Sequence, residues 1–390
     1  MRIALLADAF LPYISGVTTH NLEFAKYALE YGHELLLFVP RSNGLIVPEY
    51  LSKATIVTMR SAPTPYPNLR LNYPNTPKVL LNLQRFEPDI IWCNAASFTG
   101  IDAVMASKVL QIPTVATFHT MYTTEEYLRM MFKINRTKML EKTSWAFHRW
   151  FYNACDHIFV STQGMQHYLE SHGINSGKVS ISPILFNSQV TMLTETKKRQ
   201  LKARYNLKEN VAVYLGRVSQ EKALDTLLEI WERVIKQEKN SSLLIIGGGK
   251  YEPKLRDLIK EKGLEDSVVM TGFIDNNVLL DSGLLGVADC YVTASVSETW
   301  GVATLEAMAH GLPVILAKSL GVSEILDGAG FVIEQSDIQG FSKAILQLFG
   351  DPVLSKEMGK KAIEAAKQYS GQIGTKKVLE QFAEIVGTEK

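Results

Sequence analysis

Short, strongly apolar runs alternate with amphipathic segments along nearly the whole of this 390-residue chain, and that alternation leaves few folds open. Strands without a polar face need cover on both sides, which parallel sheets obtain from the helices of right-handed βαβ units. The pattern predicts strands at residues 2–7, 34–39, 55–59, 90–93, 114–118, 157–160 and 179–182, with helical stretches between most of them. It then restarts, with strands expected at 211–215, 243–246, 268–271, 290–293, 313–316 and 331–333. The length is too great for one ordinary core. The reading is an α/β fold of two doubly wound domains, with ligands expected in a cleft lined by the carboxyl ends of both sheets. Residues 187–210 are polar, Lys-rich and poor in strand pattern, so the domains are placed at 1–188 and 189–370, followed by an amphipathic tail at 371–390.

Composition narrows the function. The 41 Lys and Arg against 40 Asp and Glu leave a formal charge of +1, which argues against a general nucleic-acid binder. Cys93, Cys155 and Cys290 are few, odd in number and far apart, as buried thiols of a reducing compartment would be, and they show no metal-ligand spacing. The first apolar run is cut short by Asp8, so it reads as a buried strand and not as a signal peptide. No segment reaches the roughly 18 to 20 apolar residues of a membrane-spanning helix. A cytoplasmic protein is expected, touching a membrane at most from outside.

The densest chemistry lies in Ser297-Glu298-Thr299-Trp300-Gly301-Val302-Ala303-Thr304-Leu305-Glu306. It reads as a strand-to-helix turn in which Glu298 occupies the loop and Glu306 sits more than one turn into the helix. The first backbone N–H groups of that helix, from Gly301, Val302 and Ala303, lack helical partners and suit a phosphate. Two carboxylates beside an anion site would repel the phosphate itself, so they fit better as acceptors for hydroxyls of a ligand such as a sugar nucleotide. Two solvated glutamates are the plain alternative.

Other strand ends add to this. Gly216-Arg217-Val218-Ser219-Gln220-Glu221-Lys222 follows the first strand of the second half, placing Arg217 and Lys222 where they could neutralise a departing diphosphate. Solvated surface cations are the alternative. Gly248 lies in a permissive three-glycine turn. Phe273 and Ile274 end a further strand, where backbone could read a base edge, although core packing of Phe273 is as good a reading. In the first half, Gly16 lies between the first strand and first helix without GxGxxG spacing, which weakens a dehydrogenase reading. His119 closes a strand and could meet a sugar hydroxyl or serve only structure; His20, His148 and His310 have weaker claims. No nucleophile-elbow sequence is present. Residues 128–152, opening on Leu128 and closing on Tyr152, mix cations such as Arg129, Lys133, Lys142 and Arg149 with Trp145, Phe147, Trp150 and Phe151. That suits a helix at an anionic lipid surface or a core helix with a basic face.

Taken together, the two glutamates with seven residues between them, the Gly216 to Lys222 turn, the Gly16 loop and His119 resemble the retaining, nucleotide-sugar-dependent glycosyltransferases of the GT-B fold, of the group 1 or family 4 type. The resemblance spans nearly the whole chain and implies two Rossmann-like domains. It implies that Arg217 and Lys222 bind the donor diphosphate, Glu306 the ribose hydroxyls and Glu298 the transferred sugar, with Gly301 and Val302 completing the pocket. Gly16 would face the diphosphate and His119 the sugar and acceptor. The last helix would cross back to the first domain. A UDP-sugar donor is implied, with no catalytic metal and no required cofactor.

The stretch Pro65-Tyr66-Pro67-Asn68-Leu69-Arg70-Leu71, together with Phe118-His119-Thr120 and the basic segment after it, looks most like the branch that glycosylates diacylglycerol. A lipid acceptor is therefore expected, with a soluble saccharide acceptor, a sugar-nucleotide epimerase, a phosphorylase and a non-catalytic binder as alternatives. Two departures stand out. Ile184-Leu185-Phe186-Asn187-Ser188 replaces the usual Asn-Gly-Val-Asp turn, and Trp300 interrupts the glutamate loop.

Overall fold

The computed structural model describes residues 1–42, 44–64, 68–119, 137–297 and 301–388. Glu298, Thr299 and Trp300 lie outside the described residues, as do Pro65, Tyr66, Pro67 and the cations of residues 120–136. The chain divides into two compact units, Met1–Asn187 with Tyr369–Lys390, and Ser188–Gln368.

The first unit holds a parallel sheet of seven strands: β1 Arg2–Leu6, β2 Glu34–Pro40, β3 Thr55–Met59, β6 Ile90–Cys93, β7 Thr114–Thr117, β8 His157–Val160 and β9 Val179–Ile181, in the order β3-β2-β1-β6-β7-β8-β9. A short antiparallel pair, β4 Ser61–Pro63 and β5 Arg70–Asn72, has no counterpart in the expected strands. Alternation along each strand sends side chains to opposite faces. Ile3, Leu5, Ile90 and Trp92 join one buried cluster with Phe24 and Phe382. Ala4, Leu6, Ile91 and Cys93 join another with Val79, Ala103 and Phe151. Cys93, Cys155 and Cys290 are all buried free thiols.

The second unit holds β10 Asn210–Leu215, β11 Ser241–Ile246, β12 Val268–Gly272, β13 Cys290–Thr293, β14 Val314–Ala317 and β15 Gly330–Ile333, all parallel, in the order β12-β11-β10-β13-β14-β15. The Leu224–Gln237 helix buries Leu224, Leu227, Leu228, Trp231 and Val234, one face at helical spacing, against Ala212, Leu243 and Cys290. Both units are Rossmann-like, and in each the strand order reverses beside the first strand: between β1 and β6, and between β10 and β13. Open α/β sheets bind ligands outside the carboxyl ends of the strands at such switch points.

The last helix, Gly371–Thr388, belongs to the first unit. Phe382 packs among Phe24, Trp92 and Phe159, with ring centroids 5.9, 5.4 and 5.8 Å away. Its entry is fixed by Gly371 N–H, which donates to Phe186 O at 3.0 Å.

Candidate active site at the switch point of the second sheet

β10 delivers Gly216, and β13, its neighbour, delivers the loop that runs toward Glu298. Gly216 has φ +151°, and a Cβ there would meet Tyr214 Oη at 2.9 Å. That hydroxyl donates to Arg217 O at 3.0 Å, pinning the start of the turn from below the sheet's end. The turn then tightens into a 3-10 segment, Gln220–Lys222, before Ala223 at φ +50° opens the Leu224–Gln237 helix. Arg217 Nη2 lies 3.7 Å from Glu221 Oε1, four residues on, and is half exposed. Glu221 O accepts from both Ser295 Oγ at 3.4 Å and Ser297 Oγ at 3.2 Å. The cation-bearing turn is thereby laced to the loop immediately before Glu298. Sequence names Ser297 and Glu221 only as members of their stretches and gives neither a role, and it passes over Ser295; the alternation Ser295-Val296-Ser297 at a strand end is the available signal.

The three-glycine turn has a different cause from the one its composition suggests. A Cβ at Gly247 would fall 1.8 Å from Gly216 O, and one at Gly249 2.2 Å from Val218 O. These glycines let two strand ends pack backbone to backbone, sealed by Val218 N–H donating to Gly248 O at 3.0 Å. Gly248 itself approaches the next strand end, where its Cβ would lie 3.1 Å from Phe273 N. Phe273 is 67% exposed, which overturns the core-packing reading of that residue, and Ile274 is half-buried. A side chain just past the last ladder pair is no longer held to either face of the sheet.

Gly301 is buried at φ +56°, and a Cβ would meet Val322 Cγ2 at 2.3 Å. It begins the Val302–Ala309 helix with no side-chain cap, and Val302 and Ala303 are half-buried. Glu306 is only 6% exposed. Burial pushes its carboxyl up to about 7, against the pull of a hydrogen bond with the Asn276 side chain. Asn276 opens the Asn276–Ser282 helix, thirty positions earlier in the chain, and no sequence signal linked it to Glu306. His310 Nδ1–H donates back to Glu306 O at 2.8 Å.

In the first unit, Gly16 is the exposed first residue of the Gly16–Glu30 helix, whose Ser15 cap accepts from Thr18 N–H at 3.2 Å. Asp8, at the end of β1, accepts from Ser97 Oγ at 2.5 Å and Thr99 Oγ1 at 2.6 Å. His119 is buried beside His20, the ring centroids 5.2 Å apart. Burial, then the neighbouring His20, holds its imidazole well below the usual range.

The amphipathic segment divides between its two readings. The described part is the Thr137–Ala154 helix, in which Trp145, Phe151 and Tyr152 are core while Met139 and Trp150 are exposed. Among the described residues no helix is long and apolar enough to cross a membrane, and no cluster of three His, Cys, Asp or Glu is placed to hold a metal ion.

Two family models match the chain: Glycosyltransferase Family 4 over residues 14–184 and Glycosyl transferases group 1 over residues 195–368. The sulfoquinovosyl transferase SQD2 of Arabidopsis thaliana is 26% identical over 99% of this chain and 74% of its own length. The alpha-monoglucosyldiacylglycerol synthase of Acholeplasma laidlawii is 22% identical over 99% of this chain and 98% of its own. Among solved structures, the sucrose-phosphate synthase of Thermosynechococcus elongatus superposes with a TM-score of 0.78 at 18% identity, over 99% of each chain. Anabaena HepE in complex with UDP and glucose gives 0.77 at 17%, over 98% of this chain and 99% of that one. At these identities the two structures bear on the fold, which is GT-B.

Proposed function

The chain belongs to the group 1 and family 4 glycosyltransferases, and from that premise we propose a retaining α-glycosyltransferase that moves a sugar from UDP to a hydroxyl of a membrane lipid such as diacylglycerol. The observation that carries the donor site is the lacing of the Arg217 and Lys222 turn to the loop before Glu298, at the switch point between β10 and β13. It supports Arg217, Lys222 and the N–H groups of Gly301, Val302 and Ala303 as the diphosphate's partners. Glu306 takes the ribose hydroxyls, Glu298 the transferred sugar, and Gly248, Phe273 and Ile274 the nucleobase. In the first unit, Gly16 and His119 serve the diphosphate and the sugar.

The bond from the sugar's anomeric carbon to the diphosphate oxygen breaks with its electron pair leaving on UDP. The acceptor oxygen bonds to the same face, and its proton passes to the departing phosphate. The configuration is retained without a covalent sugar on the protein. Cations and helix N–H groups act here because negative charge grows on the leaving group in the transition state.

The lipid acceptor is supported by the relatives whose names carry it and by the exposed Trp150 and Met139 beside the basic Lys142 and Arg149 on one helix. Such a face suits peripheral attachment to an anionic bilayer. The test is UDP release from a panel of UDP-sugars, with and without diacylglycerol-containing vesicles, and Glu306→Ala as control. Release that requires one donor and the vesicles is expected. Release indifferent to lipid would remove the membrane acceptor and direct the search to soluble saccharides.

A further inference from the structure

His20 lies on the Gly16–Glu30 helix one turn after Gly16 and is 1% exposed. Its Nδ1 accepts the backbone N–H of Leu185 at 3.1 Å, which places its proton on Nε2. The ring is gripped from two further sides. Its edge meets Trp92 at 5.4 Å and His119 at 5.2 Å, with interplanar angles of 76° and 70°. Trp92 is itself fixed, because its Nε1–H donates to Thr117 Oγ1 at 2.7 Å, two residues before His119. Leu185 is equally immobile: it is fully buried, and the next residue, Phe186, is bridged to Ser370. The chain leaves the first unit at Asn187 and re-enters it at Tyr369, so His20 is bonded to the outgoing one of the two paired segments that bound the insertion.

We infer that His20 is a positioning residue for His119, tying the orientation of that imidazole to the segment on which the chain leaves the first unit. The inference rests on the reading of His119 as a group that serves the sugar. Burial supports it by holding both rings neutral, His20 at about 3 and His119 well below its ordinary value, so each keeps one donor and one acceptor nitrogen. A flip of either ring would put carbon where each nitrogen now stands, so the orientation of the ring decides whether its donor and acceptor are presented at all.

Two substitutions separate the two contacts. His20→Asn keeps an acceptor near Nδ1 for the Leu185 N–H but removes the ring edge from His119. His20→Phe keeps a ring edge and loses the acceptor. Each is made in the wild type and in His119→Ala, with UDP release measured on diacylglycerol vesicles and the UDP-sugar selected by the panel, and thermal unfolding followed alongside. Both variants are expected to lower kcat about tenfold with the donor KM within about twofold, and to add less than about twofold once His119 is Ala. An equal loss in both backgrounds, or no loss in the wild type, overturns the inference. Undiminished transfer by His119→Ala itself overturns the reading of His119, and the inference with it, and is distinguishable because it needs no His20 variant.

Discussion

Glu306 is a carboxyl that the fold buries before any ligand arrives. Its acid form persists to about pH 7 because water is excluded and the Asn276 side chain restores only part of that loss. The unfolded chain gives up this proton near 4.5. Between those values the folded state binds more protons, so the Glu306 contribution to stability falls as pH rises, by about 3 kcal/mol across the window. Glu23, also pushed up to about 7 by burial, adds a slope of the same sign. The informative measurement is therefore the difference between wild type and Glu306→Gln, whose denaturation midpoint should fall less steeply from pH 5 to 7. Ribose hydroxyls donating to Glu306 favour its ionised form, so UDP binding at pH 6.5 should release on the order of half a proton. Calorimetry in buffers of differing ionisation enthalpy reads that release. An unchanged value in Glu306→Gln would remove Glu306 from the nucleotide site.

Among elements, the Val302–Ala309 helix shows how one backbone angle sets a site. Gly301 turns the chain at φ +56° while its Cα passes against Val322, so a side chain is opposed by conformation and by space together. Gly301→Ala should destabilise the protein by roughly 2 to 5 kcal/mol, combining the left-handed cost with overpacking. Adding Val322→Ala should recover part of that loss and leave the conformational part, which denaturant unfolding of the two variants separates. The same contrast explains what sequence could show. Strands β1, β2, β10 and β11 are legible because burial on both faces leaves near-continuous apolar runs. The β4 and β5 pair is not, since each strand is three residues long and its register depends on Arg70 Nη2 reaching Ser61 O at 2.7 Å. The Gly216 to Lys222 turn is legible as a strand end carrying cations. Its bond to Ser295 and Ser297 is not, because it follows from β10 and β13 becoming neighbours.

At the scale of the whole molecule, the first unit is discontinuous, and its core closes only when the chain returns after the second unit. Closing so long an insertion costs little more than closing a short one, since loop entropy grows only with the logarithm of length. The returning segment must still supply apolar burial that outweighs its own ordering. Phe382 supplies much of it: the ring is fully buried among Phe24, Trp92 and Phe159. Gly374 shares the contact, for a Cβ there would lie 2.3 Å from Leu185 Cδ2. Phe382→Ala should cost about 3 to 5 kcal/mol, the range for a fully buried aromatic ring. The ring contacts of Phe382 all lie within the first unit, so the loss belongs to that unit, and a single midpoint for two units would blur it. Amide hydrogen exchange resolves the two. Protection should fall in β1, β6 and β8 and stay near its wild-type level in β10, β11 and β13. An equal fall in both sheets would mean that the last helix stabilises the second unit as much as the first; unchanged protection throughout would mean that the aromatic cluster closes without it.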